Sequence, residues 1–241
     1  MDLPGVGEAV TRARHAVSAV YRHPANQQSR WAVTSAEASV RAARASAALD
    51  GASPTLPSDG LVSDPVLAGA LRVAKALGGL LGIWQRAPLQ ALARLHVLAA
   101  ADLYSGPLLG EPLLGRPRSS LETTARLDGL AQLITGGSRV AAPVLVAVVH
   151  GELLTLAPFA QGNGVVARAA ARLTVVSSGL DPKGLVLPEV AHVHREREYR
   201  ATATGFASGG TAGVGGWIVH CCTALAAGAR EALSIAEAAG G

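Results

Sequence analysis

The loop at residues 157–162, which joins two helix-like segments, constrains the fold of this chain more than any other part of the sequence. The preceding segment, 141–156, is mostly apolar, and the following one, 163–177, is rich in Ala and Val. The junction reads Ala157-Pro158-Phe159-Ala160-Gln161-Gly162-Asn163-Gly164. Glycines at a helix start leave backbone N–H groups open, which favours an anion site. An ordinary tight turn is the alternative, because Gly and Asn are also common turn residues.

The composition favours an all-α fold. Hydrophobic residues make up 49% of the chain, but aromatic residues only 3%. A core of Ala, Leu and Val suits closely packed helices better than a sheet. Capping boxes, Pro at a first-turn position and amphipathic patterns predict further helices. These helices are expected after Thr34-Ser35-Ala36-Glu37, after Asp64-Pro65, over 88–103, after Ser119-Ser120-Leu121-Glu122 and over 217–238, with a Gly-rich break at 205–216.

Two parts of one compact domain are expected. Residues 1–60 are predicted to form N-terminal helices, and residues 61–241 the remaining core and the C-terminal helices. Between Tyr104 and Arg118, Gly and Pro alternate with Leu-Leu pairs. This pattern predicts an irregular flap or short hairpin.

Charge and hydropathy patterns bear on partners and location. The net charge is +4 without a dense Lys/Arg block, so no nucleic-acid partner is expected. The N-terminus carries Asp2 and Glu8 and lacks a signal pattern, and the longest apolar run, 140–149, is about half a membrane span. Cys221 and Cys222 are adjacent, which suits neither a disulfide nor a zinc site. We therefore expect a cytoplasmic protein without a membrane partner.

The segment from His150 to Arg168 resembles the Fic family. The core motif of that family has the form His-x-Phe-x-(Asp/Glu)-Gly-Asn-Gly-Arg-x-x-Arg and lies between two helices. The residues that match it in register are Phe159, Gly162, Asn163, Gly164 and Arg168. The resemblance implies an all-α, Fic-like helical domain with a short flap.

A second, distant segment supports this resemblance. Ser46-Ala47-Ala48-Leu49-Asp50-Gly51 is similar to the family's inhibitory motif, (Ser/Thr)-x-x-x-Glu-(Gly/Asn), with Asp50 at the Glu position. Ser46 and Asp50 are one helical turn apart and therefore share a helix face. The resemblance implies an inhibitory-like role for Ser46, Asp50 and Gly51, and we expect Asp50 to form an ion pair with Arg168.

The sequence departs from the family at the catalytic positions. The family's general-base histidine is replaced by Ala157, the magnesium-holding acidic residue by Gln161, and the first phosphate-binding arginine by Val165. Loss of a positioned general base typically lowers a rate ~10²- to 10⁴-fold. Neutral Gln is a poor partner for hard Mg²⁺. The resemblance thus implies no catalytic residue and no metal ligand, while Gly162, Asn163, Gly164 and Arg168 remain for binding an anion or nucleotide.

These departures favour a catalytically inactive or strongly impaired pseudoenzyme that acts through binding. Its ligand would be a protein, docked along the flap by strand addition, or a phosphate-bearing molecule at the loop. No cofactor is expected, and ATP and Mg²⁺ are the ligands to test. The alternative is a nucleotidyl- or phosphate-ester transferase, of the protein AMPylation type, whose base comes from His150, water or a partner.

Several other residues have simpler interpretations. His192, His194, Glu196 and Glu198 are predicted to lie on a solvated helix face rather than in a metal site. His150 is predicted to be a core histidine, and His220-Cys221-Cys222 to pack in a helix. The three tryptophans are expected to anchor the core or a homodimer contact: Trp31, Trp84 and Trp217.

Overall fold

The computed structural model describes residues 3–27, 31–57, 60–104, 114–136 and 139–240. In these ranges it contains ten α-helices, one short 3-10 helix and no β-strand, which confirms the predicted all-α class. Most of the predicted flap, residues 105–113, lies outside the described residues. The helices are α1 Val6–Arg22, α2 Trp31–Leu49, α3 Pro65–Arg86, α4 Pro88–Ala100, α5 Leu121–Thr135, α6 Ala142–Leu156, α7 Asn163–Ser177, α8 Pro188–His194, α9 Glu196–Ala207 and α10 Thr211–Gly240.

Two of the helix starts differ from the predicted capping boxes. Helix α2 already begins at Trp31, so Thr34 is a buried residue inside the helix and not its cap. Helix α5 is capped by Ser120 instead of Ser119, because the Ser120 hydroxyl accepts a hydrogen bond from the Thr123 N–H at 3.0 Å. Asp64 caps α3 as the sequence predicts and accepts from two backbone N–H groups, each at 2.9 Å.

The predicted glycine break at 205–216 is wrong in extent, because only residues 208–210 separate α9 from α10. Gly205 lies in the last turn of α9 and Gly213 in the first turn of α10, where the two helices cross. A Cβ atom on Gly213 would lie 2.1 Å from the carbonyl oxygen of Gly205. These glycines therefore allow a close approach of two helices instead of interrupting one.

Two clusters of buried apolar side chains form the core, and α7 contributes to both. One cluster surrounds Trp217 and joins α1, α2 and α10, while the other surrounds Trp84 and Phe159. From α7, Val175 packs in the first cluster and Val165 in the second. The seam between the clusters therefore runs along α7, the helix that follows the Gly162-Asn163-Gly164 loop.

Two helices are long and apolar enough to cross a membrane by length and composition alone. They are Pro65–Arg86 and Thr211–Ala238, and 28% and 56%, respectively, of their most apolar windows are buried within the protein. Core helices of globular proteins pass the same test, so this is weak evidence.

Candidate anion-binding site

The loop between α6 and α7 reverses the chain through two left-handed residues. Ala157, the C-cap of α6, has φ = 40°, and its N–H donates to the Leu153 carbonyl oxygen. Gly162, the N-cap of α7, has φ = 71°. Among the described residues, Ala157 is the sole non-glycine with positive φ. The loop thus carries backbone strain at the position that corresponds to the family's histidine.

Asn163 fixes the shape of this loop from within. Its Oδ1 accepts from the Phe159 N–H at 2.8 Å, and its Nδ2 donates to the Phe159 carbonyl oxygen at 2.8 Å. Both backbone polar groups of Phe159 are therefore satisfied by one side chain. The Asn163 side chain therefore holds the shape of the loop, and its predicted role in binding an anion stays a prediction.

Arg118 joins the loop to the segment that follows residues 105–113. The Arg118 N–H donates to the Pro158 carbonyl oxygen at 2.7 Å, and its guanidinium donates to the carbonyl oxygen of Ala157. Gln161, at the position of the family's metal ligand, is exposed. No sequence motif marks Arg118 as a loop residue, because its partners are backbone carbonyl oxygens.

A buried histidine, His96, lies under the loop and was also missed by the sequence analysis. Its ring stacks on Phe159 with centroids 4.0 Å apart, and its Nδ1 accepts from the Gly115 N–H at 2.8 Å. Burial lowers the pKa of His96, which keeps Nδ1 free to accept. The His96 ring thus connects Phe159, on which it stacks, to Gly115, from which it accepts a hydrogen bond.

The segment Ser46–Gly51 ends α2 beside the loop, and we call Ser46, Asp50 and Gly51 the latch. Gly51 has φ = 92°, its N–H donates to Ala48, and the Ala52 N–H donates to Ala47. This pattern is a Schellman helix terminus, which requires a left-handed residue at Gly51. Helix α2 ends at Leu49, so Asp50 is the first residue beyond the helix.

Arg168 is the residue that Ser46 and Asp50 of the latch contact. Its Nη2 lies 2.8 Å from Asp50 Oδ1, and it donates from Nε to the Ser46 hydroxyl and from Nη2 to the Ser46 carbonyl oxygen, both at 2.8 Å. The ion pair expected between Asp50 and Arg168 is present. Only 3% of the Arg168 side chain is exposed, against 27% for Asp50. Burial opposes the charged form of Arg168, but Tyr199 and Asp50 outweigh it and raise the pKa of the guanidinium.

The Asp50 carboxylate also lies directly against the loop. A Cβ atom built on Gly164 would be 2.3 Å from Oδ1 and 2.5 Å from Oδ2 of Asp50. Gly164 is the second residue of α7, where the helix dipole and open N–H groups favour a negative charge. The carboxylate of the latch therefore lies beside the start of α7, and glycine at position 164 makes room for it.

Val165 cannot be exchanged simply for the arginine that the family motif has there. Its side chain is buried, with 3% of the residue exposed, and packs in the cluster around Trp84 and Phe159. The other substituted positions, Ala157 and Gln161, are partly or fully exposed. The core of this chain thus contains an apolar residue at the position where the family motif has its first arginine.

Behind Arg168 lies a buried polar cluster that sequence reasoning did not detect. Arg168 Nη1 donates to the Tyr199 hydroxyl at 3.4 Å, and this hydroxyl lies 3.0 Å from His150 Nε2. In the same cluster, His192 Nδ1 lies 3.1 Å from His220 Nε2, and His220 Nδ1 lies 3.1 Å from Glu198 Oε1. The residues of this cluster come from α6, α7, α8, α9 and α10, and no single motif contains them, so no local pattern marks the cluster.

The charge state of this cluster follows from its burial. Burial, together with the positive charge of Arg168, lowers the pKa of His150 and of His192 well below 6.5. The pKa of His220 is also lowered by burial, although hydrogen bonding to Glu198 opposes this. These histidines are therefore neutral near pH 7, and His150 is a core histidine as predicted rather than a side chain open to a substrate.

The predicted solvated helix face at residues 192–200 is correct for His194, Glu196 and Glu198 and wrong for His192. The helix is interrupted at Arg195, between α8 and α9, and both His192 and Tyr199 are buried. His194, Glu196 and Glu198 are exposed. In the part of the chain that the structure describes, no group of three His, Cys, Asp or Glu residues has the arrangement of a metal site.

No protein-family model and no curated protein matches the sequence. Solved structures do match. A crystal structure of a Fic family protein from Desulfovibrio desulfuricans G20 superposes with a TM-score of 0.76 at 20% identity, over 97% of this chain and 75% of that one. Fic-1 (residues 134–508) from C. elegans superposes with a TM-score of 0.74 at 16% identity, over 98% of this chain and 75% of that one. This chain therefore has the Fic fold.

Proposed function

We propose that this chain is a catalytically inactive or strongly impaired Fic-fold protein that acts by binding. The observation that carries this proposal is the Asp50 carboxylate, which is paired with buried Arg168 and lies against Gly164. The anion position of the loop is filled by a residue of the same chain. A ligand at the loop must displace this carboxylate before it reaches Arg168.

The chemistry of the three substituted positions supports the absence of efficient transfer. Ala157 has no group that accepts a proton, and its carbonyl oxygen is already bonded to Arg118. Gln161 offers no negative charge for a hard divalent ion. Val165 belongs to the core, so a cation is missing where phosphates would need one.

The nearest histidines are poor replacement bases. His150 is 3% exposed and its Nε2 is bonded to the Tyr199 hydroxyl. His96 is fully buried, with its Nδ1 bonded to Gly115. Each would have to leave its hydrogen-bond partner and the core to reach a substrate hydroxyl, which disfavours the transferase alternative.

The ligand proposed for the loop is a phosphate-bearing molecule that replaces the Asp50 carboxylate on Arg168 and on the N–H groups of α7. Docking of a protein along residues 104–118 is the second route to binding. Arg118 connects that segment to the loop through Ala157 and Pro158. A partner that contacts one of them therefore contacts a segment bonded directly to the other.

Calorimetry with inorganic phosphate and with ATP plus Mg²⁺, on the wild type and on Asp50→Ala, tests this proposal. We expect Asp50→Ala to bind phosphate at least about tenfold more tightly, because the competing carboxylate is removed from Arg168. Glu37→Ala is the matched control, since Glu37 is a carboxylate of the same helix whose partner is Arg41. Its phosphate affinity should equal that of the wild type.

Mass spectrometry of proteins incubated with each variant and ATP completes the test. We expect no adenylyl adduct from the wild type or from Asp50→Ala. An adduct formed by either would show that the site still transfers nucleotide and would overturn the inactive assignment. Equal phosphate affinity of wild type and Asp50→Ala would instead show that the latch does not occupy the anion position.

A further inference from the structure

A groove of about 300 Å³ opens between α2, α3 and α7, away from the loop. Trp31 and Ser39 of α2 line one side, and Leu77 and Leu81 of α3 line the other. Lys183, from the turn after α7, also lines the groove. The groove shares no residue with the anion loop or the latch, so any ligand that it holds is additional to a ligand of the loop.

The apolar side of the groove comes from α3, a helix that leaves much of its apolar surface uncovered. Only 28% of its most apolar 18-residue window is buried. Leu77 and Leu81 are one turn apart and partly buried, and Val176 of α7 faces the same space. Such contiguous apolar surface is unfavourable in water and is removed when an apolar ligand covers it.

The charged part of the groove lining is the ammonium group of Lys183. Its Nζ lies 5.1 Å from the centroid of the Trp31 ring and 5.8 Å from that of Tyr21. In the part of the chain that the structure describes, no carboxylate forms an ion pair with Lys183. Arg172, the other cation in the lining, is already paired with Glu189 at 3.3 Å. One cation therefore remains in the lining of an apolar groove, ready for a negative group.

The size of the groove limits the ligand. A volume of about 300 Å³ is at the lower end of the range for small-molecule sites, so the groove suits a small ligand of about ten non-hydrogen atoms. We propose that the groove binds an aliphatic carboxylate with about eight carbons, its carboxylate on Lys183 and its chain against Leu77 and Leu81. The two ends of this ligand match the cation and the apolar wall of the groove, respectively.

Titration with octanoate tests the proposal, by calorimetry and by tryptophan emission. Trp31 lines the groove, whereas Trp84 and Trp217 are fully buried, so a change in emission on binding reports on Trp31. We expect saturable binding at one site. Lys183→Ala should weaken it about tenfold or more, which is the effect of removing one charge-assisted hydrogen bond. Lys75→Ala, the chain's other lysine, lies outside the lining and should bind octanoate as the wild type does.

A second pair of variants tests the apolar end. Gly78 lines the groove, Gly79 does not, and a Cβ atom at either position would meet no atom within 4 Å. Gly78→Leu should therefore fill the groove and abolish binding, while Gly79→Leu should not change it. Both substitutions favour the helical conformation of α3, so both proteins should fold.

Several results would overturn the proposal. They are the absence of saturable octanoate binding, an equal loss in Lys75→Ala and Lys183→Ala, and an equal loss in Gly79→Leu and Gly78→Leu. Binding of octan-1-ol with the affinity of octanoate would also contradict it, because the alcohol carries no charge for Lys183. Failure here is distinguishable from failure at the loop, since none of these variants touches Asp50 or Arg168.

Discussion

Ala157 adopts a backbone conformation that disfavours every residue with a Cβ atom. Its φ of 40° closes the end of α6, a position at which glycine is the most common residue. The left-handed conformation costs roughly 1–2 kcal/mol for an L-residue other than glycine. The chain retains alanine there although glycine would fit the backbone better.

We expect Ala157→Gly to stabilise the protein by about 1 kcal/mol, since relief of the left-handed strain outweighs the added flexibility of the unfolded chain. Urea denaturation measures this as a higher midpoint at an unchanged slope. Ala101→Gly is the control, because Ala101 is also a helix C-cap but has φ = −51°. It should destabilise by about 0.5–1 kcal/mol. A lower midpoint for Ala157→Gly would mean that the strain is absent in solution.

The residues of the loop and the latch could be predicted because each belongs to a motif that is local in sequence. Gly162, Asn163 and Gly164 are contiguous, and Ser46 and Asp50 are one helical turn apart. Tyr199 could not be predicted as a partner of Arg168, because it is 31 residues away and its sole contribution is a hydroxyl. Residues that act through a three-dimensional cluster leave no spacing for a sequence to reveal.

At the scale of helices, most elements follow from local signals, but several boundaries do not. Asp64 and the prolines at helix starts are read correctly, since they act on their own backbone neighbours. The Gly-rich segment 205–216 is not predicted correctly, because glycine is common both in turns and at close contacts between helices. Only the partner helix, which the sequence does not show, distinguishes the two cases.

The contact between α9 and α10 leads to a prediction about glycine. Gly213→Ala places a Cβ atom 2.1 Å from the Gly205 carbonyl oxygen, so the helices must separate. We expect a loss of about 2 kcal/mol or more, despite a gain in helix propensity of roughly 1 kcal/mol. Thermal unfolding followed by circular dichroism measures the change as a lower Tm.

Gly216→Ala is the matched control in the same helix. It is exposed, and its Cβ atom would meet nothing within 4 Å. This substitution should raise stability by up to about 1 kcal/mol through helix propensity alone. If Gly213→Ala were equally stabilising, α9 and α10 would not cross closely at this point.

At the scale of the whole molecule, α7 connects the loop to the buried polar cluster. Arg168 bonds forward to the latch on α2 and backward to Tyr199 on α9. Tyr199 in turn contacts His150, and His192 packs beside it with ring centroids 4.6 Å apart. Five helices therefore meet around the guanidinium group of Arg168. The histidines of this cluster must remain neutral, so the stability of the whole fold depends on their protonation.

This arrangement predicts that the protein loses stability as the pH falls below about 6.5. The pKa values of His96, His150, His192 and His220 are lowered in the folded chain, chiefly by burial. Between pH 6.5 and the lowered values the unfolded chain binds protons that the folded chain does not. Unfolding is then favoured by up to about 1.4 kcal/mol per pH unit for each histidine that stays neutral.

Urea denaturation at pH 7.5 and at pH 5.5 measures the free energy of unfolding on both sides of this range. His150→Gln removes one buried titrating group, so its stability should fall less steeply between the two pH values than that of the wild type. His194→Gln removes an exposed histidine and should leave the pH dependence unchanged. The comparison concerns the slope, not the absolute stability, because replacement of a buried hydrogen-bonded side chain also destabilises the protein at every pH. Equal slopes for wild type and His150→Gln would show that His150 is protonated as easily in the fold as in the unfolded chain, and that the cluster around Arg168 is open to water.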